Sequence, residues 1–209
     1  REVGEQPRLR GVEDRELGTR GVVAERARQP GFAGVNGSLT VEANSQLILL
    51  SQDHATIGQT SLADSARLSA PNGTTLRPGS ALTAGIATIA GPFTNQGAVT
   101  GPSAAGQFLT FTDDVDGAGS FAGNVRFSDL YSPAGSSPAS ISLATASFDP
   151  TSALLIDLAG NAAGAGYDQL AVSGNLLLDG GTLQLNIDPA FSPARDSQFK
   201  IIDLTGTRS

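Results

Sequence analysis

His54 is the only histidine of this 209-residue chain. It stands beside Asp53 in the run Ser51-Gln52-Asp53-His54. Serine, histidine and aspartate are the parts of a nucleophilic triad, in which a base takes the hydroxyl proton and an acid orients the base. The glycine-flanked serine elbow that exposes such a nucleophile occurs nowhere in the chain, and serine is common throughout. A loop histidine is the simpler reading. One histidine and no cysteine also leave little for a transition metal, which favours imidazole and thiolate donors.

Acidic residues offer the next chemistry. Asp113, Asp114 and Asp116 crowd the run Asp113-Asp114-Val115-Asp116-Gly117 and form a weak calcium candidate. A helix-loop-helix calcium loop starting at Asp114 needs an oxygen ligand at its fifth position and a glutamate at its twelfth. Those positions hold Ala118 and Val125, and the glycine-rich calcium nonapeptide is absent too. The cluster reads as a solvated acidic turn. Asp149, Asp157, Asp168, Asp179, Asp188, Asp196 and Asp203 then recur at short intervals. Paired carboxylates are the equipment of glycoside hydrolysis. Beyond residue 30, however, the only glutamate is Glu42, and the chain has no tryptophan to offer a sugar. Most of these aspartates fall where strands should end, and aspartate is a good turn former. No catalytic residue and no cofactor site is assigned. Asn36-Gly37-Ser38 and Asn72-Gly73-Thr74 match the N-glycosylation acceptor, though Asn-Gly is also a plain turn signal.

The elements that would carry these residues are short strands. Leu39-Thr40-Val41, Leu109-Thr110-Phe111, Val125-Arg126-Phe127, Ile141-Ser142-Leu143 and Leu170-Ala171-Val172 alternate apolar and polar residues. Leu183-Gln184-Leu185-Asn186-Ile187 does so most cleanly, which predicts that Leu183, Leu185 and Ile187 face inward. Turn signals such as Asn72-Gly73, Asp116-Gly117 and Gly180-Gly181 separate the runs. No helical stripe follows residue 30. Residues 1–30 are different, with seven arginines and six acids. Val12, Leu17, Val22 and Val23 fit no period there, so a disordered or weakly helical leader outside the core is expected. Residues 31–209 form the β segment.

Among all-β architectures, a solenoid is favoured over a sandwich or barrel. Strands are very short. Nine phenylalanines and two tyrosines are few for a sandwich core. Pro78 to Thr112 carries no charge in 35 positions, a run that stacked coils of small residues tolerate. No repeat of fixed length is visible. The net charge of −7, falling on an aromatic-poor body, argues against nucleic acid as a partner. No apolar run is long enough for a membrane-spanning helix. With no methionine at all, the chain is expected to be a processed or partial product. It stops at Thr207-Arg208-Ser209 with no evident cap after the expected strand Phe199–Leu204, so truncation at its C-terminal end is expected too.

The run Gly166-Tyr167-Asp168-Gln169-Leu170-Ala171-Val172-Ser173-Gly174, with Gly181-Thr182-Leu183-Gln184-Leu185 and Asp196-Ser197-Gln198-Phe199-Lys200-Ile201-Ile202-Asp203, carries a family resemblance. It resembles the passenger-type β-helix segments of bacterial surface proteins, both autotransporter-like passengers and proteins with a C-terminal PEP-CTERM sorting signal. Tyr131 to Pro138 resembles a turn found upstream of that pattern, but departs from it by an inserted alanine and a missing asparagine. The likeness spans about Asn72 to Leu204. It implies a right-handed parallel β-helix, an extracellular or cell-surface location, and a non-catalytic structural or adhesive role. A polysaccharide-binding or polysaccharide-degrading β-helix is the alternative. The partners implied are other copies, meeting through the solenoid ends, and a surface polysaccharide.

Overall fold

The structure is a computed structural model and describes residues 38–49 and 54–207. The expected leader over residues 1–30 lies outside them, as do Ser51 and Asp53. Among the described residues there are twenty strands and no helix. The chain is all-β, and every strand-to-strand ladder in it is parallel.

The strands fall into three columns. The first holds β1 (Leu39–Val41), β4 (Thr60–Leu62), β7 (Ala81–Ala84) and β10 (Ala98–Thr100). The second holds β2 (Gln46–Ile48), β5 (Arg67–Ser69), β8 (Thr88–Ala90) and β11 (Leu109–Phe111). The third holds β3 (Ala55–Ile57), β6 (Thr74–Leu76), β9 (Phe93–Asn95), β12 (Val115–Gly117), β14 (Leu130–Pro133), β16 (Ala153–Leu158) and β19 (Thr182–Ile187). Two long strands, β13 (Ser120–Phe127) and β15 (Ser140–Phe148), run through both of the first two columns and join them into one sheet. A register shift between Phe121 and Asn124 lets β13 turn that corner. Beyond β15, β17 (Gln169–Val172) and then β20 (Ile202–Leu204) continue the first column, while β18 (Leu176–Leu178) continues the second.

Three-residue strands of this kind are not stable alone. They persist because in-register stacking gives each side chain a like neighbour above and below, about 4.8 Å away. Leu47, Leu68, Ile89, Phe111, Phe127 and Phe148 form one such inward ladder. Ala55, Thr74, Phe93, Val115, Tyr131 and Leu154 form another. Both ladders are buried throughout. The few aromatics are concentrated rather than scattered: Phe93, Phe111, Phe121, Phe127, Phe148 and Tyr131 make one cluster with ring centroids 4.4 to 6.3 Å apart. Each ring contributes roughly 1.5–3 kcal/mol by leaving water.

The corners need glycine where chains pass closely. Gly91 has φ of +95°, and a Cβ there would lie 1.9 Å from the Ala70 carbonyl oxygen. The buried Asn95 ties two corners together, donating from Nδ2 to the Ser120 carbonyl at 3.1 Å and accepting the Gly97 N–H at 3.1 Å.

One expectation about burial is corrected. Leu183, Leu185 and Ile187 pair with the buried Leu154, Ile156 and Leu158, so they stand on the core side of their strand. Yet they remain 49%, 52% and 50% exposed. Alternation sets the side to which a residue points. Burial also needs a strand stacked on the far edge, and among the described residues β19 pairs only with β16.

Candidate functional site

The recurring aspartates do structural chemistry in the first instance. Asp64 Oδ1 accepts the Ile86 N–H at 2.8 Å, and Asp113 Oδ2 accepts the Gly91 N–H at 2.9 Å; each bond spans 22 residues. These carboxylates satisfy corner amides of a neighbouring segment, a role that suits a short acceptor side chain. Asp149 accepts the Ser128 hydroxyl at 2.7 Å and pairs with Arg126 at 3.5 Å. The Arg126 guanidinium also lies 4.4 Å from the centre of the Phe108 ring.

The acidic turn is taken up in the same way. Asp113 Oδ2 accepts the Thr112 hydroxyl at 2.8 Å besides the Gly91 amide. Burial raises the Asp114 carboxyl above its ordinary range, and the charges of Asp129, Asp113 and Asp116 add to the rise, against a lowering backbone bond from Leu130. Asp116 lies within β12. Among the described residues no three acidic or histidine side chains gather as a metal site requires, the trio Asp113, Asp114 and Asp116 included. His54 is exposed and stands against the next coil, where a Cβ on Gly73 would meet its ring at 2.4 Å.

Three of the clefts among the described residues bear on the site. The first, lined by Phe148, Leu154, Leu178, Leu183, Ile201 and Ile202, is apolar and lies at the β19 end. The second is a shallow groove over Ser120, Ser142, Ala171, Ser173, Asp203 and Thr205, with Asp203 its one carboxylate. The third is polar, bordered by Ser136, Pro138, Asp157, Leu158, Asn186 and Asp188, with no aromatic ring in its wall. None joins several carboxylates to an aromatic platform, the arrangement that sugar cleavage would favour.

The most unusual electrostatics lie beside the third cleft. Asp168 immediately precedes β17. Its Oδ1 accepts the Ala139 N–H at 2.7 Å and its Oδ2 accepts the Asp157 N–H at 2.8 Å. That Asp168 stands at a strand boundary was legible in the sequence. Its partner was not, because Asp157 sits in the apolar run Ala153-Leu154-Leu155-Ile156-Asp157-Leu158. Asp157 occupies the outward position between Ile156 and Leu158, yet it is buried. Residues 159–167 leave the column at this point and return alongside, with Leu158 bridged to Tyr167. Asp157 Oδ1 accepts the Asn186 amide at 2.6 Å. Burial pushes the Asp168 carboxyl up to about 6, the Asp157 charge adds to the rise, and the two backbone bonds oppose it. Tyr167 packs edge-on against Phe199 at 5.3 Å.

No protein-family model, curated protein or solved structure matches this chain.

Proposed function

We propose that the chain winds as a right-handed parallel β-helix and serves as a rigid, non-catalytic segment, structural or adhesive, of a secreted or cell-surface bacterial protein. The observation that carries the reading is the pairing order. From β1 to β12 each strand lies parallel to the strand three places further on, wherever that partner falls in the same column. A chain that returns to the same column after every third strand climbs one rung per turn. Parallel crossovers are right-handed in nearly all proteins, which gives the hand of the winding. Seven strands in the third column correspond to a stack roughly 30 Å long at the usual strand spacing. The continuous inward ladders make such a stack stiff. The surface location rests on the resemblance of residues 166–185 and 196–203 to bacterial passenger segments.

The partner that the β19 end suits best is a second copy. β19 carries no charge from Thr182 to Ile187, whereas guarded edges usually carry lysine or proline. Antiparallel pairing of two β19 strands about a two-fold axis would set Leu185 against Leu185, Leu183 against Ile187, and Gln184 against Asn186. That register buries apolar side chains on one face and pairs amides on the other, as an isologous contact requires.

Sedimentation velocity over a wide concentration range tests the reading, with Leu185→Lys as the variant. Wild type should move to larger species as concentration rises, in a rod-like shape, and Leu185→Lys should stay monomeric. A compact, monomeric wild type at all concentrations would count against both the rod and its end contact. Reproducible product release from acidic or neutral polysaccharides would overturn the non-catalytic role.

A further inference from the structure

Asp157 and Asp168 are the two most deeply buried acids among the described residues, at 5% and 0% exposure. Through its two bonds, Asp168 ties together the start of β15, the middle of β16 and its own lead into β17. Asp157 Oδ1 is engaged by Asn186 of β19, while its Oδ2 is buried with no hydrogen-bond partner.

The groups packed around the pair are known. Asp157 faces Asp168 from β16. From β14 the buried Tyr131 hydroxyl, itself without a hydrogen-bond partner, lies within reach of the Asp168 charge. Asn186 from β19, Ala139 ahead of β15 and Gln169 of β17 are neutral, while Asp188, just past β19, is a further acid on the cleft that Asp157 borders. The ion pairs among the described residues join Arg126 to Asp149, Arg195 to Asp196 and Lys200 to Asp203. None reaches Asp157 or Asp168. Two carboxylates out of water with no counter-charge are costly, and one of them relieves the cost by taking a proton.

We propose that Asp157 and Asp168 form a proton-operated latch, which mild acid closes by neutralising one charge and so fastening residues 159–167 onto β15 and β16. Three of the four oxygens accept an N–H, and the buried Asp157 Oδ2 does not. Burial supports uptake in mild acid, since it pushes the Asp168 carboxyl up to about 6 from an ordinary 3.8. The folded chain therefore holds the proton more tightly than the unfolded chain. Its stability rises as pH falls through about 6 towards 3.8, and is lost as pH rises through about 6.

Urea unfolding of the full chain at about pH 5 and about pH 7.5 tests this. Wild type should be the more resistant at the lower pH. Asp157→Asn removes only the added charge and leaves the burial of Asp168, so it should narrow that difference. Asp168→Asn should lose it. Retention of the wild-type pH dependence in Asp168→Asn would overturn the latch. Should a variant fail to fold, amide hydrogen exchange of wild type decides. After correction for intrinsic rates, the Ala139 and Asp157 amides should gain on the order of tenfold to hundredfold protection in acid, the span of one to two pKa units. Equal protection at the two pH values would sink the proposal.

Discussion

Phe127 and Tyr131 stack with ring centroids 4.4 Å apart and planes 15° from parallel. They stand on different strands, β13 and β14, with the corner Ser128-Asp129 and the first residue of β14 between them. Asp149 reaches across to hold that corner through the Ser128 hydroxyl. The stack therefore closes the angle between two columns from the inside while a neighbouring segment secures it from the outside.

Phe127 also touches Phe111, Phe121 and Phe148, so its loss removes the hub of the cluster. Phe127→Ala should destabilise the fold by about 3–5 kcal/mol, the usual cost of truncating a buried ring. Phe127→Leu should cost clearly less. Urea unfolding monitored by circular dichroism checks the order, and equal effects of the two variants would show that the rings are not packed as described.

Gly91 and Gly79 separate two causes of glycine dependence. Both have positive φ, +95° and +74°, but only Gly91 has backbone in the path of a Cβ. Gly79→Ala should cost about 1–2 kcal/mol for the left-handed conformation alone. Gly91→Ala must also push Ala70 away, so it should cost more. Thermal unfolding of the pair measures the difference, and an equal loss would mean that the close approach is unimportant.

Asn95 should not tolerate a hydrophobic replacement in spite of its burial. Asn95→Leu leaves the Ser120 carbonyl and the Gly97 N–H without their partner, at about 1–3 kcal/mol for each orphaned group. Asn95→Leu as stable as wild type in urea would show that water replaces the amide.

Asp113 should matter to stability with or without calcium. Asp113→Ala removes the acceptor of the Gly91 N–H and the Thr112 hydroxyl, a loss of about 1–3 kcal/mol. Millimolar calcium should leave the wild-type midpoint unchanged. A midpoint that climbs with calcium and stops climbing in Asp113→Ala would reinstate a cation site at this turn.

Several strands were legible because they display the alternation of a half-buried strand even when only three residues long. Leu39–Val41, Leu109–Phe111 and Leu170–Val172 all lie where alternation puts them. Which strand meets which was not legible, since no fixed repeat marks the returns. The exposure of Leu183, Leu185 and Ile187 was misjudged because a pattern within one strand carries no information about its outer neighbour. Asp157 was hidden for a related reason. Its partners, Asn186 of β19 and Asp168, come from outside its own strand, and such neighbours leave no mark on the run that they meet.

The spacing of the returns has a consequence for how such a chain can change. Leu109 meets Val125 after sixteen residues, Leu39 meets Thr60 after twenty-one, and Leu170 meets Ile202 after thirty-two. Odd and even intervals both occur, yet in each pair two apolar residues, or a buried threonine, share the inner side. Within a strand, slipping by one residue turns every side chain over. The corners between strands reset that parity, so corner lengths can vary where strand lengths cannot. Insertions or deletions should then be tolerated at corners other than those where Gly91 or an aspartate-bound amide fixes the path, while a single-residue deletion inside a strand inverts one rung. Genetic drift in such a molecule would accumulate as corners of unequal size between strands whose stacking stays constant.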